Sequence, residues 1–60
     1  MGELGKVYRR KTTNGIDVAT VVEENAKFKT CIIQLESGKT MSVTTKTLHD
    51  VWECIGEQNS

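Results

Sequence analysis

Hydrophobic spacing changes once along this chain, and the change divides it. Up to residue 44, apolar and polar positions alternate in short runs broken by glycine and asparagine, which is the two-residue period of strands. Lys6–Lys11 predicts a first strand. Thr12-Thr13-Asn14-Gly15 predicts a hairpin turn, because asparagine and glycine both tolerate positive φ. Ile16–Glu23 predicts a second strand, with Ile16, Val18, Thr20 and Val22 on one face and Asp17, Ala19, Val21 and Glu23 on the other. Glu24–Lys27 predicts a turn, Phe28–Leu35 the third strand, Glu36–Lys39 a further turn and Thr40–Thr44 the fourth strand.

Beyond residue 44 the spacing becomes helical. Leu48, Val51, Trp52 and Ile55 recur at i, i+3, i+4 and i+7 and share one face. A threonine before the run can cap its start, and Gly56 can close its end. Residues 45–56 therefore predict a C-terminal amphipathic helix, with Trp52 packing on the sheet beside Leu48 and Ile55. Val51–Ile55 also reads as a closing strand after a short 3₁₀ turn over Thr47–Asp50; four apolar positions and two caps favour the helix. The third strand is apolar on both faces, with Phe28 and Ile32 on one and Cys31, Ile33 and Leu35 on the other. A strand covered on one side should alternate more cleanly. Its second face predicts a cover, either the helix or a second subunit, so a homo-oligomer (a dimer or higher) is expected.

Length narrows the picture further. Sixty residues make one domain, and a chain this short needs a well-packed core or outside help. The fold class expected is all-β with one helix, a small barrel or curled antiparallel sheet of four to five strands occupying residues 1–60. Cys31 and Cys54 allow one intramolecular bridge, but both sit in apolar runs where a free cysteine acts as a small hydrophobe. The single histidine and the absence of a CxxC pair argue against a structural metal, and no cofactor is expected. The start of the chain lacks a basic stretch followed by an apolar one, Lys6 stands where a myristoylation site needs serine or threonine, and no run is long enough to cross a membrane. A cytoplasmic protein with reduced thiols is expected.

Net charge is zero, yet the signs come in blocks: basic over Lys6–Lys11, acidic over Asp17–Glu24, basic over Lys27–Lys46, acidic over Asp50–Glu57. Zero net charge speaks against generic nucleic-acid binding, which shows a basic excess, while a local basic patch remains open.

The opening Gly5-Lys6-Val7-Tyr8-Arg9, with strands joined by tight turns, resembles SH3-like small-barrel proteins. The ending Ser42-Val43-Thr44-Thr45-Lys46-Thr47-Leu48, followed by Trp52, is similar to small proteins of bacteriophages and mobile elements in which a terminal helix follows the last strand. The resemblance implies a binding module acting on host machinery or host defence, in the host cytoplasm if phage-encoded.

The side chains themselves offer little catalysis. His49 and Asp50 are neighbours in sequence and do not face each other on a helix. No P-loop, GxGxxG, HExxH or paired-carboxylate motif occurs, so no enzyme is expected. Two clusters suit binding instead. Thr44, Thr45 and Thr47 supply hydroxyls beside Lys46 at a helix start, the ingredients of a phosphate or carboxylate site. Tyr8, Arg9, Arg10 and Lys11 can grip phosphate and stack on a base, but alternation puts Tyr8 and Arg10 on one face and Arg9 and Lys11 on the other. The function expected is a non-catalytic protein that captures or inhibits a host factor, or sequesters a small anionic ligand such as a nucleotide, in a counter-defence role. The alternative is an SH3-like or Tudor-like nucleic-acid-binding module.

Overall fold

A computed structural model describes residues 2–57. It is mostly β: strands β1 (Lys6–Thr12), β2 (Gly15–Asn25), β3 (Thr30–Leu35), β4 (Thr40–Thr44) and β5 (Glu53–Glu57), with one short helix, α1 (Thr45–Val51), before the last strand. All strands belong to one antiparallel sheet in the order β4-β3-β2-β1-β5. The first four form a meander. The helix then carries the chain from the β4 edge to the far side of β1. It is too short to cross a membrane, and no helix among the described residues does so.

Register puts Tyr8 opposite Ala19, Val21 opposite Ile33, and Cys31 opposite Val43, so these side chains share the inner face. Tyr8, Ala19, Val21, Cys31 and Ile33 form the core with Leu48 and Trp52 from the crossing segment, and Leu35, Met41 and Val43 pack around them. Of the two β2 faces, the one carrying Ala19 and Val21 is buried. A bulge between Val21 and Glu23 lengthens β2 and turns Glu24 toward Cys31. The first hairpin forms as expected, with Gly15 at φ 135°, while the loop before β3 closes at Lys29, whose φ is 54°.

The predicted helix over 45–56 is corrected by the structure. Thr44 does cap it, its hydroxyl accepting from the Thr47 amide at 3.1 Å. The helix stops at Val51, Trp52 is extended, and Glu53–Glu57 pairs with β1. Gly56 thus lies in a strand and closes no helix. Val51 and Ile55 are about half exposed, while Leu48 and Trp52 are buried, so Ile55 is no partner to Trp52 in the core. The physical reason lies in β1, whose second edge would otherwise leave a row of amides and carbonyls unpaired. A seven-residue helix is marginal alone, and one further turn gains less than a strand pairing does.

The third strand is corrected too. It begins at Thr30, and Phe28 sits in the loop before it, 68% exposed. The helix packs on the face carrying Cys31 and Ile33, so on the opposite face of β3 Thr30 and Ile32 are half-buried and Gln34 is exposed. Cys31 is buried and Cys54 exposed, and both are free thiols. Burial pushes the Cys31 thiol up, which keeps it protonated and inert.

Trp52 is the side chain on which this packing turns. The Arg10 guanidinium lies 4.5 Å from its ring centre on one side, and the core lies on the other. Trp52→Ala should cost about 3–5 kcal/mol. A chain of this length holds a margin of roughly 0.05–0.15 kcal/mol per residue, so that loss should abolish cooperative thermal unfolding in calorimetry.

Candidate functional site

Charged side chains gather in two places. The first is inside. Glu3 is buried against the start of β1, and its carboxylate accepts from the Tyr8 hydroxyl at Oε1. His49 Nε2 lies 3.2 Å from the other oxygen, and Lys6 Nζ lies 3.7 Å from the first. The Tyr8 and His49 rings are stacked with centroids 6.4 Å apart. The Glu3 amide donates to Glu24 at 3.0 Å and the Gly5 amide to the Val21 carbonyl at 2.9 Å, which fixes this segment to β2. One carboxylate therefore ties the N-terminal segment to β1 and α1.

The Tyr8 hydrogen bond is the main force holding the Glu3 carboxyl below its ordinary value; burial opposes it, and His49 and Lys6 add to it. Burial, and then the same hydrogen bond, pushes the Tyr8 phenol far up, so it stays a neutral donor. Tyr8 is committed to the core and offers no face on which a base could stack. Arg10, on the same face, hydrogen-bonds Asp17 at 3.0 Å and lies over Trp52, with its Nε buried and without a partner.

The second place is on the outer face. Arg9 and Lys11 project there with Ile16, which pairs with Lys11 across the first hairpin. Val51 at the end of α1 and Glu53 at the start of β5 complete a groove of about 390 Å³. The Arg9 Nε donates to Glu53 Oε1 at 2.7 Å, and a guanidinium retains four further N–H donors. Ile16 and Val51 are 55% and 53% exposed, so the groove offers apolar surface beside two cations. Among the described residues no three His, Cys, Asp or Glu side chains come together to hold a metal.

The predicted clusters separate. Thr44, Thr45, Lys46 and Thr47 lie where β4 meets α1, and β4 is divided from β1 in the sheet by β3 and β2. Thr44 donates to the Thr47 hydroxyl at 2.9 Å and caps its amide, so both hydroxyls serve the helix start. Thr45 turns toward Cys31, its Oγ1 lying 3.9 Å from the thiol, and Lys46 is exposed. No hydrogen bond among the described residues joins this cluster to Arg9 or Arg10. Strand alternation had already separated Arg9 and Lys11 from Tyr8 and Arg10. Ile16, Val51 and Glu53 lie outside the predicted clusters, and Glu53 reaches Arg9 only through the pairing of β5 with β1, where the spacing predicts helix. Nothing in the sequence marks Glu3.

The Glu3 cluster predicts a pH effect. A folded carboxyl held below its ordinary value of 4.5 adds stability that is complete above that pH and is lost as pH falls through the folded value. Glu3→Gln should lower the urea midpoint at pH 7 and narrow the gap between the pH 7 and pH 3 midpoints. An unchanged gap would mean that other carboxylates set the acid limb.

No family model, curated protein or solved structure matches this chain, so the groove and the buried carboxylate are read from its own residues.

Proposed function

We propose that this is a non-catalytic binding protein that captures a host factor, or a small anionic ligand such as a nucleotide, through an anionic group seated between Arg9 and Lys11. The observation that carries the reading is the outer groove, where two cations border the exposed apolar surface of Ile16 and Val51. Its volume of about 390 Å³ falls at the lower end of ligand-sized clefts. The Glu53 carboxylate fixes the Arg9 side chain by its Nε, so less rotamer freedom is lost on binding. The strand order, with a helix leading into the strand that pairs with β1, supports reading the sheet as a small SH3-like barrel. A phage-type counter-defence role fits such a module and stands as part of the proposal.

The nucleic-acid alternative is weaker on this geometry. Of the run Tyr8–Lys11, Tyr8 is in the core and Arg10 is bound to Asp17 and Trp52, which leaves two cations without a stacking aromatic.

Replacing Arg9 and Lys11 together by alanine should lower affinity at least about tenfold while barely moving the melting temperature, since exposed charges on a strand add little stability. Calorimetric titration of a nucleotide panel and of short single- and double-stranded oligonucleotides reads this out. Tight binding to oligonucleotides alone, steeply weakened by salt, would overturn the reading. Binding to neither set directs the groove to a protein partner.

A further inference from the structure

The outer groove does not end at Ile16. A second depression of about 190 Å³ begins at that same side chain and runs over Val18 to Leu35 and Glu36. The two share Ile16 and together cross four strands, from Glu53 on β5 to Leu35 on β3. Their chemistry changes along the way. Arg9 and Lys11 stand at one end, Ile16 and Val18 form the middle, and Glu36 stands at the other beside Asp17. Lys39, in the same hairpin as Glu36, lines neither part. Arg10 already holds Asp17, so Glu36 is the acid available to a ligand.

Resting on the capture reading above, we infer that this surface takes an extended segment of a partner protein with an acidic residue, then apolar residues, then a basic residue. The two seats fit an extended chain: from β1, which carries Arg9 and Lys11, to Glu36 just past β3 is two strand intervals of about 4.8 Å, about 10 Å, which a peptide covers in about three residues at about 3.3 Å each. Charge supports it too. A nucleotide has no cation to offer Glu36, and a nucleic-acid backbone would bring a phosphate onto Glu36, where like charges repel. An acidic–apolar–basic segment satisfies both ends, and Ile16, 55% exposed at the midpoint, gains the apolar cover it lacks.

The test is selection of a phage-displayed random decapeptide library on the immobilised full chain, followed by affinity and backbone-amide NMR measurements with one enriched synthetic peptide. Enriched peptides should carry the acid–apolar–base order. Glu36→Lys and Arg9→Ala should each weaken the peptide about tenfold, and the Glu36→Lys chain should regain affinity for a peptide whose basic end is made acidic. Amide shifts should change at Lys11, Ile16 and Ser37. Acidic peptides that need Arg9 but ignore Glu36→Lys would overturn the segment while leaving anion capture standing. No enrichment, or enriched peptides indifferent to both substitutions, would overturn the proposal, and indifference to Arg9→Ala would count against the capture reading as well.

Discussion

The pairing of β5 with β1 forces the chain to travel from one edge of the sheet to the other within Thr45–Trp52, and the rest of the structure follows from that crossing. Four strand intervals in a flat sheet would measure about 19 Å. The helix spans only about 10 Å at 1.5 Å per residue, and the residues flanking it add little more than one extended step at each end. A flat sheet would leave the connection short, so the sheet must curl toward the helix. The curl encloses Leu48 and Trp52 among Tyr8, Ala19, Val21, Cys31 and Ile33. Two side chains of the crossing segment thus complete a core that the strands alone would leave open to water.

The polar anchor works in concert with that packing. A buried carboxylate is costly unless its oxygens are satisfied. Glu3 meets that requirement through Tyr8 and Lys6 of β1 and His49 of α1. Tyr8 is itself a core residue, so loosening the carboxylate would loosen the packing beside Trp52. The Arg10 guanidinium, held by Asp17 and laid over the Trp52 ring, covers the same indole from outside the apolar cluster. Part of the basic run is therefore structural, and the cations left for a ligand lie on the opposite face.

That division gives the outer surface its character. With the inner face fully used by packing, the outer face of β1, β2 and β5 keeps Arg9, Lys11, Ile16 and Glu53 in solvent. Apolar side chains left half exposed in a chain with so few to spare are the natural place for a partner to gain affinity. The charges on this surface are set by the fold and not by the sign blocks of the sequence: Glu53 of an acidic block lies beside Arg9 and Lys11, and Glu36 of a basic block lies near Asp17.

Local rules made much of this legible in the sequence. Period-two alternation located β1 and β2, put Tyr8 and Arg10 on the face opposite Arg9 and Lys11, and found β4 at Thr40–Thr44. Turn chemistry placed Gly15 and Gly38 where positive φ is needed, and Thr44 announced the helix start. Trp52 is buried with Leu48 as the spacing predicts, but not on a helix face shared with Val51 and Ile55, which are half exposed. What these residues could not show is where the helix stops. Helical spacing ran on to Ile55, and the requirement that ended it, the open edge of β1, lies more than forty residues earlier in the chain. The same remoteness hid Glu3, whose partners Tyr8 and His49 come together only in the fold, and the groove, which needs β5 beside β1 to bring Glu53 to Arg9. Faces and turns are set by neighbours in sequence. Strand partners, buried carboxylates and surface grooves are set by neighbours in space, and only the tertiary structure decides those.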